Sequence, residues 1–472
     1  MSRIVHEGPL VVEYARSIYT PNQGKDGEMT KISFMGAGST IFAKNVLGDA
    51  MLSEPLRDAH IALYDIDGQR LGESKMMLDN INKNVNAGRA RIMAHLGVEQ
   101  RKEALQGASY VVNAIQVGGY EPATAIDFEV PKKYGLRQTI GDTLGIGGIF
   151  RALRTIPVCL DFARDMQEVC PDAWFLNYVN PMAMITGAML RGSSIRTVGL
   201  CHSVQVCAAG LLRRVSMLED VTKLQWKVAG INHQAWLLEI TDGGRDLYPE
   251  IKRRAAELNR KARQAGAAKH TDMVRFEMMR HFGYYITESS EHAAEYTPYW
   301  IKSQYPELID EFNIPLDEYP RRCVHQIAAW KERSKQLVHN EDLTHERTQE
   351  YASYIMEAME TDVPLRIGGN VLNHGLIPNL PRLAVVEVPC LVDRSGVQGC
   401  YVGELPEQLA ALNRTNINPQ LLTIEAALSG KRDKVYQAAM LDPHTASELT
   451  LDQIRALCDD LIAAHGMEEM FI

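Results

Sequence analysis

Long apolar runs are missing from this 472-residue chain: no stretch approaches the 18 or more apolar residues that a membrane-spanning helix needs. The N-terminus lacks a basic segment followed by an apolar core and a cleavage site, which gives no signal for export. Cysteine is sparse. The eight residues at 159, 170, 201, 207, 323, 390, 400 and 458 form no CxxC pair and no dense spacing, which excludes a disulfide-stapled scaffold and favours reduced thiols in a cytoplasmic protein. Basic excess is also absent: the net charge of -9 gives no electrostatic reason to expect nucleic acid or an anionic membrane as partner. What remains is a chain with 46% hydrophobic and 23% charged residues, long enough to bury a large core over two or three domains.

Residues 1–28 precede the first clear fold pattern and read as an extension, packed on the surface or disordered. From Lys31 the pattern is specific. Lys31–Met35 is a short apolar strand, Gly36-Ala37-Gly38-Ser39 follows it, and a helical run begins at Thr40. A strand, a glycine turn and a helix N-terminus form a phosphate site, because the backbone can approach closely and unpaired amides favour anions. The next apolar strand, His60–Tyr64, ends in Asp65-Ile66-Asp67. Acidic residues there suit the ribose hydroxyls of NAD and repel the extra phosphate of NADP. Gly36, Gly38, Ser39, Asp65 and Asp67 are therefore the candidate NAD contacts, and a tight turn with no ligand is the alternative.

Strands and helices keep alternating through Arg91–Ala94 and Ser109–Ala114, which predicts a doubly wound parallel sheet with ligands at the carboxyl ends of its strands. A long connection, 116–148, carries Asp142 and leads into a helix with Arg151. Both are candidate contacts to a sugar or to nicotinamide, with structural pairing of Arg151 to a carboxylate as the other reading. The strand at 173–179 runs into Asn180-Pro181. Asn180, with Asn177 before it, can face vicinal hydroxyls at the crevice, or Asn180 can simply cap a helix.

The strand at 195–200 then delivers Cys201-His202-Ser203. Adjacent residues of a strand point to opposite faces, so Cys201 and His202 cannot easily bind one ion. If Cys201 is a ligand, the more natural partner is His233, in Gly230-Ile231-Asn232-His233 at a strand end, which leaves His202 free to act as an acid. A buried structural cysteine and a core histidine are the commoner facts.

GAGS (36–39), LYDID (63–67), NYVNP (177–181), GLCHS (199–203) and GINH (230–233), in this order, resemble glycoside hydrolase family 4, the NAD- and manganese-dependent glycosidases. GGYEP (118–122), GDTLGIGG (141–148), ESSEHAAEYTP (288–298), PLDEYP (315–320) and MLDPHTA (440–446) bring the resemblance closest to the α-galactosidase branch. The resemblance implies hydrolysis by oxidation at C3 of the sugar, removal of the C2 proton, elimination at C1, addition of water and return of the hydride, outside the usual two-carboxylate scheme. It implies Cys201 and His233 as ligands of manganese or a similar divalent ion. Other branches carry aspartate or asparagine after the metal cysteine, so His202 as proton donor to the leaving group departs from their pattern. Tyr296 matches the C2 base, with Tyr284 and Tyr285 as weaker candidates and sugar orientation as the other role for Tyr296.

The expected fold is α/β. A Rossmann-like domain at 29–220 carries the metal cysteine, and a mostly helical α+β substrate domain at 221–472 has C-terminal helices returning to the first, in a lactate/malate dehydrogenase-like arrangement. Helices are expected at 249–266, 272–282, 320–338, 347–360, 418–430, 432–440 and 447–465, and strands at 364–373 and 383–392. The expected substrate is an unphosphorylated terminal α-galactoside, because no arginine pair for a 6-phosphate is evident. Alternatives are an α-glucosidase or α-galacturonidase of the same family, a 2-hydroxy acid dehydrogenase, and a non-enzymatic NAD-sensing protein. A homo-oligomer, dimer or tetramer, is expected from family precedent.

Overall fold

The computed structural model describes residues 29–471 apart from residue 265, so the expectation for 1–28 lies outside the described residues. Six parallel strands, β1 Lys31–Met35, β2 His60–Asp65, β3 Arg91–Leu96, β4 Tyr110–Asn113, β5 Trp174–Asn177 and β6 Arg196–Gly199, stand in the spatial order β3-β2-β1-β4-β5-β6. Both faces of this half-sheet are covered by helices, so β1 and β4 are almost wholly apolar and buried. The strand order reverses at β1, whose neighbours are β2 and β4, and a crevice opens there at the strands' carboxyl ends.

The chain then adds β7 Leu224–Ile231, β8 Gln234–Asp242, β9 Arg245–Asp246, β10 Tyr285–Ile286, β11 Leu365–Leu372, β12 Val385–Asp393 and β13 Gly396–Gly399. Among the described residues all thirteen strands form one mixed sheet. β11 meets β6 through Asn370 and Gly199 alone, and β12 meets β7 through Glu387 and Gly230 alone. Helices Thr40–Leu52, Gly68–Asn86 and Tyr351–Thr361 share one core face, while Gly145–Val169, Met182–Gly192 and the C-terminal helices Arg432–Leu441 and Leu451–Ala464 share the other. No described helix is long and apolar enough to cross a membrane, and all eight cysteines are free.

Most expected elements are present, and the second half adds strands β8, β9, β10 and β13 beyond those expected; two helices also differ. The 116–148 connection contains the helix Ala125–Lys132, disguised in the sequence by Pro122 and Pro131. The helix expected to begin near 418 runs over Glu407–Ser429, straight through Pro419. Its buried Asn413 and Asn416 interrupt the apolar period by which its first half would have been recognised.

The turn after β1 is set by Gly36. Its φ of +89° lies in the left-handed region, and a Cβ there would stand 2.7 Å from the backbone of Ala114 and Ile115. The amides of Gly36 and Ala37 both donate to Tyr64 O at 2.9 Å, tying the turn to the end of β2. Gly36→Ala should therefore lower the stability of the cofactor-free protein by roughly 2–3 kcal/mol. Urea unfolding of both proteins checks this, and an unchanged midpoint would contradict so tight a turn.

Candidate functional site

Cys201 follows β6 and precedes the helix Ser203–Arg214. Its carbonyl accepts a 2.9 Å hydrogen bond from Tyr351 Oη, and its sulfur lies 3.2 Å from Ser203 Oγ. His233 occupies the turn between β7 and β8 at a φ of +62°, where a non-glycine residue is strained. Glu288 is also left-handed, at a φ of +61°, just before the short helix Ser290–Glu295. Donor atoms of Cys201, His233 and Glu288 lie within 4.8 Å of one another, with Glu288 Oε2 3.5 Å from His233 Nε2. A thiolate, an imidazole and a carboxylate are a sufficient donor set for a divalent ion. The sequence reading missed Glu288: it lies inside a quoted motif, but one sequence does not show which distant residues meet.

The cluster is electrostatically coupled. Burial alone would lower the pKa of His233, but Cys201, Glu288 and Asp142 together raise it to about 10. Burial would raise Glu288, yet His233 and His292 hold it below the ordinary carboxylate value.

A second group of side chains adjoins this one. Asp142 accepts from Thr143 Oγ1 at 2.7 Å and Asn180 Nδ2 at 3.3 Å, and lies 3.8 Å from His292 Nε2. Burial opposes its ionisation, but His292 and Arg151 keep it well below the usual range. Arg151 donates to Asn180 O and to Tyr319 Oη, each at 3.2 Å. Behind them the buried carboxylate of Glu295 accepts from the amides of Thr139, Ile140 and Gly141 and fixes the loop that presents Asp142. Tyr296 is fully buried, with Oη 3.2 Å from His233 Nδ1. Burial, then the charges of Glu295, Asp142 and Glu288, push its phenol well above the ordinary value.

Cys201, His233, Asp142, Asn180, Arg151 and Tyr296 thus belong to one connected site. His202 does not join it. Its half-exposed ring lies against Tyr178 and Tyr351, with Nε2 2.6 Å from Glu350 Oε2. Asn177 is fully buried. It accepts from Asn113 Nδ2 and Val179 N and donates to Val179 O, which locks strand ends and leaves nothing for a sugar. Tyr285 donates to Asp272 and Tyr284 packs edge-on against Tyr248, so neither enters the site.

At the dinucleotide crevice, Gly38 N donates to Asp65 Oδ2 at 2.6 Å, and Asp67 N donates to Asp65 Oδ1. Asp67 caps the helix Gly68–Asn86 through Oδ1, which accepts from Gln69 N and Arg70 N. The helix Thr40–Leu52 has no side-chain cap, which leaves its first amides for an anion. Gly36 and Gly38 leave no room for side chains against Ala114 and Asp65, and this tight glycine turn before an uncapped helix fits a dinucleotide diphosphate.

A family model described as family 4 glycosyl hydrolase matches residues 31–217, and the model of that family's C-terminal domain matches 228–445. The chain is 62% identical to an α-galactosidase of Bacillus subtilis (strain 168), across 93% of this chain and 98% of the relative. A 6-phospho-β-glucosidase of Thermotoga maritima, solved with manganese, NAD+ and glucose 6-phosphate, is similar in fold with a TM-score of 0.72, at 20% identity over 93% of this chain and 98% of that one. The fold also resembles that of lactate dehydrogenase from Eimeria maxima, with a TM-score of 0.51 at 14% identity over 85% and 96% of the two chains.

Because His233 has a folded-state pKa near 10 against ~6.5 for a free imidazole, its charge stabilises the metal-free fold fully below pH ~6.5. That contribution is lost as pH rises through 10. The stability difference between wild type and His233→Gln in chelator should be largest at pH 6 and shrink by pH 10. Urea unfolding at the two values measures it, and a constant difference would count against the ionised cluster.

Proposed function

The chain belongs to family 4 of the glycosyl hydrolases and is a glycoside hydrolase; we propose that it cleaves terminal α-D-galactosides, using NAD and a divalent ion, manganese in first place. The single observation that carries the reading is the meeting of Cys201, His233 and Glu288 beside Asp142, Asn180 and Arg151. The high identity to an α-galactosidase over nearly the whole of both chains supports the sugar. When bound, NAD supplies reversible oxidation at C3 and the ion supplies Lewis acidity for the adjoining oxygens.

The residues divide the remaining work. Cys201 Sγ and His233 Nε2 hold the ion, while Tyr296 Oη on His233 Nδ1 fixes the ring. Asp142 and Asn180 take sugar hydroxyls, and an anionic wall of Asp142 and Glu288 suits a neutral galactoside better than a 6-phosphate. Gly36, Gly38 and Ser39 cradle the diphosphate and Asp65 receives a ribose. Tyr296, the base expected from the motif, is fully buried, and burial first, then the charges of Glu295, Asp142 and Glu288, disfavour its phenolate. Glu288 is already ionised, and we assign it the C2 proton, with Tyr296 in the orienting role. His202 is turned to Glu350, so the leaving-group proton falls to His292, 3.8 Å from both Asp142 Oδ1 and Glu288 Oε1. Eight free thiols suit a reducing, cytoplasmic setting. Family precedent favours a homo-oligomer.

Hydrolysis of an aryl α-galactoside should require both NAD and manganese, and Cys201→Ser should lower kcat/KM by about 100-fold or more. Full activity without either cofactor would overturn the reading. Exchange of the C2 hydrogen with deuterium from solvent should vanish in Glu288→Gln and survive in Tyr296→Phe; the reverse restores Tyr296 as base. His292→Asn should cost about 100-fold or more with a poor leaving group and much less with an activated aryl group. If His202→Asn shows that pattern instead, His202 is the acid.

A further inference from the structure

The helix Glu318–Leu337 is an anomaly of packing. It has 20 residues, yet only Cys323 is buried. Val324, His325, Gln326, Ile327 and Ala328 are all exposed, and at 100° per residue five consecutive positions cover the whole circumference of a helix. A central turn exposed on every side is a bridge. Such a turn gains little from tertiary packing, which is what ordinarily sustains a helix.

Its two ends are held by separate parts of the chain, one beside Arg151 and one on the helix that follows the acidic end of β2. At the N-terminal end, Asp317 N donates to Gln138 O, Tyr319 N donates to Thr139 O, and Tyr319 Oη receives Arg151. At the other end Trp330 Nε1 donates to Glu73 Oε2 at 3.0 Å. Glu73 lies near the start of the helix Gly68–Asn86, whose next residue, Ser74, donates to Ala37 O in the glycine turn. The chain beyond is pinned further along the same half: Asn80 and Asn84 donate to the carbonyls of Asn340, Glu341 and Leu343, and His345 is buried against Asp49.

Between these anchors the helix faces open space. Its Cys323, Ile327, Trp330 and Ser334 positions form one line; Cys323 is buried, Trp330 and Ser334 are half-buried, and Ile327 in the middle is 55% exposed. The neighbouring line, Pro320, Val324 and Ala328, borders an open recess of about 500 Å³ that Tyr120 also lines. The helix also carries five cations, Arg321, Arg322, Lys331, Arg333 and Lys335, against the carboxylates Glu318 and Glu332, in a chain whose net charge is -9. Among the described residues, Lys331 and Arg333 form no ion pair. An apolar inner line with a positive flank complements a planar base joined to a diphosphate.

We propose that this helix is a strap over the dinucleotide, with Ile327 and Trp330 against the adenosine half and the basic flank beside the diphosphate. The proposal rests on the NAD reading given above and adds a second wall to that site. It also gives the cofactor a route to the sugar side, since the same helix begins at Tyr319 on Arg151.

Hydrogen exchange of the full chain, read by mass spectrometry with and without NAD, tests it. With NAD, amides of 36–39 and of 324–330 should both slow, the latter about tenfold. Protection of 36–39 with no change at 324–330 would overturn the strap and leave the cofactor reading intact, whereas no protection at either would remove both. Protection of 324–330 that rises with protein concentration and needs no NAD would show that a second copy covers the helix, also against the proposal. Ile327→Asp changes an exposed residue and should leave the unfolding midpoint unaltered while weakening NAD about tenfold by calorimetry; equal affinity for NAD would overturn the proposal independently.

Discussion

Two single-residue junctions hold the site together. The parallel half of the sheet ends at β6, the antiparallel half begins at β7, and β11 and β12 lie between them. Each outer contact is one pair wide, Asn370 with Gly199 and Glu387 with Gly230. Both outer partners are glycine because nothing larger fits: a Cβ on Gly199 would stand 2.6 Å from Met182 Sδ and Thr186 Oγ1, and one on Gly230 2.7 Å from Ala235 Cα. The buried Glu387 joins the junctions, accepting from Asn370 Nδ2 at 3.0 Å and Asn232 Nδ2 at 3.3 Å. Burial raises its pKa to about 7 against the pull of those amides. Beyond each junction the strands part, and it is there that Cys201 leaves β6 and His233 turns between β7 and β8. Their separation is thus set by a shared carboxylate and two amides rather than by either loop alone.

What those junctions deliver is a preorganised concentration of charge. Glu288 and His233 both sit at positive φ, a conformation kept only where the surroundings dictate it. Glu295 accepts from three backbone amides behind Asp142, Tyr296 touches the far nitrogen of His233, and the His292 ring packs edge-on to His233 at 4.8 Å. With so many partners fixed, the donor atoms need little rearrangement to meet an ion or a sugar, which is how a site gains affinity from its support. Imidazolium beside thiol and carboxylate offsets, in the metal-free protein, the cost of placing anions in so dry a setting.

The parallel half was legible because its rules are local. Buried parallel strands read as apolar runs, and the glycine turn and the acid at the end of β2 lie within one βαβ unit. The same locality limits what the motifs say. A strand-end motif says that Asp67, Asn177 and His202 are near the crevice, but not where their side chains point. Asp67 turns to its own helix, Asn177 inward to Asn113, and His202 across to Glu350. Glu288 was invisible for the converse reason: its importance lies wholly in residues far away in the chain. The helix Glu407–Ser429 was half-seen because its buried amides serve Gln234 and Tyr296 rather than an apolar face.

The dehydrogenase-like fold poses a final question, since the strand order, glycine turn and acidic strand end would serve an oxidoreductase equally well. The discrimination lies in what the second half of the sheet brings to the crevice. A 2-hydroxy acid substrate is an anion and needs an unopposed cation to receive it. Here Arg151 donates to Asn180 and Tyr319 and feels the charge of Asp142, while Glu288 adds a second carboxylate. The two carboxylates offset the charges of Arg151 and His233, so no cation is left unopposed for an acid, while carboxylates, as acceptors only, can take the hydroxyls of a neutral sugar. The antiparallel insertion thus changes the charge of the ligand the crevice can hold without altering the cradle beneath it. A shared scaffold and a different substrate class are then consequences of the same two junctions.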